Sequence, residues 1–118
     1  MAFTFTVVRK QVRPNTGVQW WAETVDDDEL KTFTDWQKEN WIDTGYMELT
    51  SDVESADGLT RTSTRKFESR AAATAYLAES QVQTFLAKRK THDDAVGIVR
   101  SKVSAKGTDG SRDKTSGF

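Results

Sequence analysis

The sequence has 118 residues, of which 36% are hydrophobic and 30% are charged, with a net charge of −1 and no cysteine. This length suits a single domain. The charge balance argues against a dedicated nucleic-acid-binding protein, which usually carries a basic excess, and the lack of cysteine excludes disulfides and thiolate chemistry. No apolar run approaches the roughly 18 residues of a membrane span. The opening "MAFTFTVVRK" lacks the core of a signal peptide, so we expect a cytoplasmic product.

The first predicted element is a strand over residues 2–12, because Phe3, Phe5 and Val7 alternate with other β-forming residues. The stretch "RPNTG" at residues 13–17 is typical of a turn. The "VQWWAET" that follows is open to two interpretations, a short strand or an extended lead-in to a helix.

The first predicted helix begins at the acidic stretch 26–29, where Asp26 or Asp27 can cap free backbone N–H groups. Gly45 is expected to end it in a left-handed conformation. Apolar positions recur at helical spacing between these points, namely Leu30, Phe33, Trp36 or Gln37, and Trp41. The acidic stretch lacks the alternating ligands and central glycine of a calcium loop, so we interpret it as a cap and not as a cation site.

A hairpin follows, with "ADG" at residues 56–58 as its turn. Its first strand is predicted to have an apolar face formed by Met47, Leu49 and Val53. On its second strand, Leu59 and Phe67 share a face, but polar residues lie between them, namely Arg61, Ser63 and Arg65. This strand is polar on both faces, which predicts that it is solvated or lies against a polar partner.

The second predicted helical segment spans residues 70–95, with Ser69 as its cap and a break near residues 79–81. A last strand is predicted around residues 98–103. The resulting order, β-α-β-β-α-β, predicts an α+β fold of the ferredoxin-like type, an antiparallel sheet with both helices on one face. Two helices cover only one face of such a sheet, so we expect the open face to be covered by a second copy or by another protein.

The chain is predicted to divide into one domain, residues 1–104, and an extended low-complexity C-terminal arm, residues 105–118. The arm has no apolar set of its own to offset the cost of ordering its backbone, about 1–2 kcal/mol per residue. We expect the arm to run across a neighbouring subunit, with Phe118 as its anchor. A mobile tail is the alternative.

The element order over residues 3–104 resembles the dimeric α+β barrel group, which includes antibiotic-biosynthesis monooxygenases and stress-response relatives. The stretch "KFESRAAATAYLAESQVQTFLAKRK" is similar to that group's strand, helix, short break and second helical turn. The resemblance implies an apolar cavity with a few polar groups and no cofactor. Its haem-degrading branch implies an Asn on the first strand, a Trp, and a His on the second helix. This first strand has no Asn, and His92 is expected to lie beyond the second helix, so the resemblance does not carry that activity.

A second resemblance, over residues 4–99, is to small virion proteins of tailed phages, particularly T4-like phages of marine cyanobacteria. The stretches "VVRKQVRPNTGVQWW", "DDELKTF", "DGLTRTSTRKFES" and "THDDAVGI" are similar to parts of those proteins. This resemblance implies a place in the virion after synthesis in the host bacterium. It also implies contacts with other phage structural proteins or with further copies of the chain, and it carries no catalytic activity.

The candidate functional residues are partner contacts, not catalytic groups. Trp20 and Trp21 are adjacent, so in an extended segment they point to opposite faces. Either both rings pack within the domain, or one of them is left to contact a partner, which makes both candidate partner-binding residues. Arg61, Arg65 and Phe118 complete the candidate partner-binding set. We expect no catalytic, metal or cofactor site, because the chain has a single histidine and no phosphate-binding glycine loop.

The sequence therefore predicts a structural or accessory protein of a tailed phage particle, in the capsid decoration, neck, tail or baseplate, that acts by protein–protein contacts and is not an enzyme. One alternative is a cofactor-independent small-molecule enzyme of the dimeric α+β barrel group. Another is a host-directed binding protein made during infection. Binding to nucleic acid or to a membrane is not expected.

Overall fold

Within residues 3–108 the chain forms a sheet of four strands, and three helices pack on it. In a computed structural model of the chain, residues 3–108 are described, apart from the side chains of residues 49–51. The strands are β1 (Phe5–Val12), β2 (Met47–Glu54), β3 (Thr60–Phe67) and β4 (Val99–Gly107). The helices are α1 (Asp27–Gln37), α2 (Arg70–Ala78) and α3 (Ser80–Val96), with a 3₁₀ turn at Trp21–Glu23 and a π-helical turn at Lys38–Ile42.

The strand order is β2-β3-β1-β4, and every neighbouring pair is antiparallel. In the central pair, Phe5 lies opposite Phe67 and Val12 lies opposite Thr60. This is the order of a split β-α-β unit, in which β3 is inserted between β1 and β2. The predicted α+β, ferredoxin-like fold is confirmed.

The helix ends follow the predicted caps. The Asp26 carboxylate accepts a hydrogen bond from the backbone N–H of Glu29, and the Ser69 hydroxyl accepts one from Ala72. The predicted break is a single extended residue, Glu79, between α2 and α3. Gly45 has the predicted positive φ, 83°. It does not end the α-helix as predicted, because α1 ends at Gln37 and a π-helical turn follows to Ile42. None of the helices in residues 3–108 has both the length and the apolarity needed to cross a membrane.

The hydrophobic core lies between the sheet and the helices. Alternate residues of the strands point into it, because side chains of a strand alternate between faces. The sheet contributes Phe5, Val7, Met47 and Phe67, and the helical layer contributes Trp41, Ala72, Ala73, Tyr76 and Val82. All of these are buried. The core therefore fills one part of the sheet–helix interface and leaves the rest of that interface to other side chains.

An irregularity in β2 places Val53 on a different face from the one predicted. The pairing register with β3 shifts between Leu49 and Asp52, so an extra residue is inserted on β2. Val53 therefore does not share a face with Met47, and it is 62% exposed. The same shift turns Asp52 and Glu54 toward the helix-covered face.

Strand β4 is longer than predicted, which moves the boundary of the domain. Ala105 lies opposite Val7 and Gly107 lies opposite Phe5, so the first residues of the predicted arm belong to the sheet of their own chain. Gly107 has a φ of 142°, and a Cβ there would lie 1.7 Å from the carbonyl oxygen of Thr4. The remainder of the predicted arm, including Phe118, lies outside the described residues.

Candidate ligand-binding site

A cavity of about 310 Å³ lies between the sheet and the helices, beside the hydrophobic core. This volume is at the small end of the range for ligand pockets, roughly 300–1,000 Å³. One part of its wall consists of aromatic rings, from Trp20, Trp21, Phe33, Phe67, Tyr76 and Phe85. Another part consists of five guanidinium groups, from Arg9, Arg61, Arg65, Arg89 and Arg100. A cavity with both kinds of wall is suited to a ligand with an apolar body and a negative charge.

The aromatic wall is held by ring packing between the first loop and the helices. The ring of Phe85 on α3 stacks on Phe33 of α1 at a centroid distance of 3.9 Å. Trp21 meets Phe85 edge-on at 4.6 Å. Offset-stacked and edge-to-face pairs are the favoured geometries of aromatic rings, so this wall is a fixed surface.

Trp20 and Trp21 are both buried, with 1% and 8% of their surface exposed. The segment does not stay extended, because the chain enters the 3₁₀ turn at Trp21. Of the two alternatives that the sequence left open, the structure has the one in which both rings pack within the domain.

The loop that carries Trp20 is held in place by Arg13. The Arg13 guanidinium donates to the backbone carbonyls of Val18 and Gly58, at 2.8 and 2.7 Å, which ties the loop to the hairpin turn. The indole N–H of Trp20 donates to the Glu54 carboxylate at 2.8 Å. The guanidinium groups of Arg13 and Arg61 lie over the indole ring, 4.7 and 4.8 Å from its centroid. Cation–π contacts of this kind fix both the ring and the cations.

Arg9, Arg61 and Arg65 reach the cavity because side chains of a strand alternate between the two faces of the sheet. Arg61, Ser63 and Arg65 lie on the face of β3 that also holds the buried Phe67, which is the helix-covered face. Arg9 lies on the same face of β1 as Phe5 and Val7. The polar face of β3 therefore lines the cavity inside the molecule, and its polar partners come from the same chain.

Three of the five guanidinium groups are paired with carboxylates. Arg65 lies 3.1 Å from Asp52, and Arg100 lies 3.1 Å from Asp93. Asp52 and Glu54, the two carboxylates that the shift in β2 turns toward the helix-covered face, therefore act as counter-ions of Arg65 and Arg61. The remaining pairs are Arg61 with Glu54 at 3.7 Å, Arg13 with the same Glu54 at 3.7 Å, and a hydrogen bond from Arg100 to Gln11 at 2.7 Å.

Arg9 and Arg89 have no such counter-ion. Within residues 3–108, no carboxylate oxygen lies within 4.0 Å of either guanidinium group. Burial, and next to it the guanidinium of Arg100, lower the pKa of Arg89 to about 10. Burial likewise lowers the pKa of Arg9. Arg89 is still protonated at neutral pH, so the five guanidinium groups of the cavity face three carboxylates and leave an excess of two positive charges.

Tyr76 adds a hydrogen-bond donor to the cavity wall. Its hydroxyl oxygen accepts a hydrogen bond from the Gln37 side chain at 2.6 Å. Burial raises the pKa of Tyr76, so the hydroxyl stays protonated at neutral pH. No residue in the described part of the chain accepts its proton, which leaves that proton for a ligand.

His92 and its neighbours do not form a metal site in the structure. His92 lies within α3, and its Nε2 is 2.9 Å from the carbonyl oxygen of Gln19. Asp93 is buried and pairs with Arg100, whereas Asp94 is exposed and pairs with Lys90. Among the residues that the structure describes, no group of three or more His, Cys, Asp or Glu side chains could hold a metal ion.

The cavity unites most of the residues that the sequence singled out. Trp20, Trp21, Arg61 and Arg65 all line it, while Phe118 lies outside the described residues. The candidate set from the sequence did not include Arg9, Arg89 or Arg100. A signal for Arg89 was present, because it follows the apolar stripe of α3 at helical spacing, after Val82, Phe85 and Leu86.

No protein-family model and no curated protein matches the sequence. Solved structures do match. The chain is similar to the structure named "Putative antibiotic biosynthesis monooxygenase from Nitrosomonas europaea", with 18% identity, a TM-score of 0.50, and coverage of 91% of this chain and 92% of that chain. It is also similar to a dimeric ferredoxin-like protein from an uncultured marine organism, with 14% identity, a TM-score of 0.39, and coverage of 89% and 99%. At this identity the first likeness shows the fold, in agreement with the predicted barrel-group resemblance, and no activity.

Proposed function

We propose that the protein binds a small organic anion with an aromatic or apolar body in the cavity between its sheet and its helices. The observation that carries this proposal is that an aromatic wall and a cluster of arginines with excess positive charge line the same cavity.

The excess charge supports a ligand because isolated buried charges are costly. A buried cation without a partner is destabilising unless an anion or water satisfies it. Guanidinium groups bind carboxylates and phosphates with two parallel hydrogen bonds, which combines charge with a fixed orientation. A bound anion would therefore supply the counter-charge that Arg9 and Arg89 lack among residues 3–108.

The aromatic wall supports a ring-containing body for the ligand. Phe33, Phe85 and Trp21 present ring surface to the cavity. The volume is near the lower limit of ligand pockets, so a compound of one or two rings suits it better than a larger one. The Tyr76 hydroxyl supplies a neutral donor at the same wall.

Isothermal titration calorimetry of the full chain tests the proposal. Benzoate and naphthalene carboxylates are the ligands, and their neutral carboxamides are the matched controls. We expect saturable one-to-one binding of the carboxylates and at least about tenfold weaker binding of the carboxamides, the difference that a charge-assisted hydrogen bond makes. Equal binding of acids and amides, or no binding of either, would contradict the proposal.

An enzymatic use of the cavity is the second candidate, and the Tyr76 hydroxyl favours it. A buried, protonated phenol beside a guanidinium cluster can position a substrate and donate a hydrogen bond. The name of the Nitrosomonas structure points the same way, against the sequence-based expectation that the protein is not an enzyme. Incubating a bound ligand in air and analysing it by mass spectrometry tests this. Conversion by the wild type that Tyr76→Phe abolishes would support catalysis, and ligand recovered unchanged would support binding alone.

The place in a phage particle, and with it the virion localisation and the phage partners, is retained as a separate proposal. It is supported by the sequence resemblances over residues 4–99 and does not depend on the cavity. Mass spectrometry of purified particles of the virus that encodes the chain is its test, and absence of the chain from intact particles would contradict it.

A further inference from the structure

We infer that the ligand of the cavity carries two negative charges on one head group, and that Arg9 and Arg89 bind this head group together. The ligand class is an aromatic dianion, either a phosphomonoester or a vicinal dicarboxylate. This inference rests on the proposed function, because it specifies the charge of the anion that the cavity takes.

The first step is the charge count. Arg61, Arg65 and Arg100 each have a carboxylate within 4.0 Å, whereas Arg9 and Arg89 have none among the described residues. Glu54 is also shared with Arg13, which lies outside the cavity wall, so an excess of two charges is the lower limit. A single carboxylate would neutralise only half of that excess.

Second, Arg89 does not form an ion pair with Asp93, the acidic residue nearest to it in the sequence of α3. Arg89 and Asp93 are four residues apart on α3, a spacing that permits an ion pair. Asp93 instead uses its Oδ2 to accept from Arg100, and its buried Oδ1 has no hydrogen-bond partner among the described residues. Arg89 therefore lines the cavity without an ion pair to Asp93, although a potential partner lies one turn away.

The third step is that the two unpaired groups belong to one cluster. Arg9 comes from β1 and Arg89 from α3, so they approach the cavity from its two layers. Both line the cavity together with Arg100. Repulsion from Arg100 and, more weakly, from Arg9 lowers the pKa of Arg89, and attraction by Asp93 opposes it only in part. A head group with several anionic oxygens relieves this repulsion by accepting hydrogen bonds from both layers, and a guanidinium has the planar fork that phosphate and carboxylate oxygens require.

The test is calorimetric titration of the full chain with phenyl phosphate, phthalate, benzoate and benzamide at about pH 8, where the phosphate is fully dianionic because its second pKa is near 6. We expect phenyl phosphate, phthalate or both to bind at least about tenfold more tightly than benzoate, the effect of one added charge-assisted contact. A preference for phenyl phosphate identifies the phosphomonoester, and a preference for phthalate identifies the dicarboxylate.

Arg89→Gln provides the matching variant, and Lys90→Gln is its control. Lys90 is the next residue of α3 and carries the same charge, but it is exposed and does not line the cavity. Arg89→Gln is expected to remove the tenfold advantage of the dianion over benzoate, while Lys90→Gln retains it. Arg9→Gln should act like Arg89→Gln, and it serves as the second variant if Arg89→Gln does not fold.

Two negative results have different meanings. If benzoate binds as tightly as both dianions, or if the advantage of the dianion survives Arg89→Gln and Arg9→Gln, the dianion inference is wrong and the proposed function stands. If none of the aromatic anions binds, the proposed function itself is wrong.

Discussion

Replacing Arg89 with methionine is expected to stabilise the protein in the absence of ligand. Methionine retains the apolar stem of the side chain and removes the charge. Arg89 is partly buried, lines the cavity and has no carboxylate within 4.0 Å among the described residues. Its charge is therefore a cost to the folded state, and not a contribution to folding.

The size of the effect follows from the pKa of Arg89. Burial and the Arg100 guanidinium lower it to about 10, and each pKa unit corresponds to about 1.4 kcal/mol, so the cost is on the order of 3 kcal/mol. The folded state binds the proton less tightly than the unfolded state. The cost is therefore present in full below pH 10 and disappears as the pH rises above that value. Relaxation and water entry reduce it in practice, so we expect a gain of about 1–2 kcal/mol in the free energy of unfolding at pH 7.

Urea denaturation of the wild type, Arg89→Met and Lys90→Met measures this gain. Arg89→Met should raise the urea midpoint with an unchanged m-value, which marks a change in stability alone. Lys90→Met removes an equal charge from an exposed position and should change stability by less than about 0.5 kcal/mol. A loss of more than about 1 kcal/mol in Arg89→Met, with no such loss in Lys90→Met, would show that the Arg89 charge is compensated in the folded chain and would refute the reasoning.

Three further predictions concern the Asp93 pair, the open face of the sheet and the C-terminal segment. Asp93→Asn leaves the partly buried Arg100 guanidinium without its carboxylate and should lower the free energy of unfolding by about 3 kcal/mol in the same urea assay; a change below about 1 kcal/mol would contradict this. Val8 follows the buried Val7 in β1, so its side chain lies on the opposite face of the sheet, which the helices leave open. If another copy covers that face, Val8→Asp should convert an oligomer into a monomer, which light scattering measures. A monomeric wild type would argue against a covered face. Deleting residues 109–118 should leave the urea midpoint unchanged but reduce incorporation into an assembly, and equal incorporation would show that the segment is dispensable.

The fold could be predicted because each element has a local signal. Alternation in β1, the acidic cap at Asp26, the Ser69 cap and the hairpin turn each depend on neighbours in the sequence, and together they fix the order of the elements. The face of Val53 could not be predicted, because an inserted residue in β2 is a property of pairing between strands and reverses every side chain beyond it.

The cavity could be predicted only in part. Trp20, Trp21, Arg61 and Arg65 were predicted as candidate contacts with a protein partner, whereas all four line the cavity. A polar strand has the same sequence pattern whether it faces solvent or a cavity, so the pattern could not distinguish the two. Arg9 and Arg89 are 80 residues apart in sequence. Only the packing of α3 on the sheet shows that both line one cavity, with no carboxylate of residues 3–108 within 4.0 Å of either guanidinium group. Unpaired charge is a property of three-dimensional placement, so no local pattern predicts it.

The central claim is that the cavity between sheet and helices binds an organic anion, and a crystal structure of the full chain with para-bromobenzoate tests it most directly. Anomalous scattering locates the bromine, and the ring and carboxylate can then be placed from it. We predict bromine density inside the cavity, the ring against Phe33 and Phe85, and the carboxylate within hydrogen-bond distance of Arg9 or Arg89. Bromine found only outside the cavity, or a carboxylate that points away from both arginines, would contradict the claim.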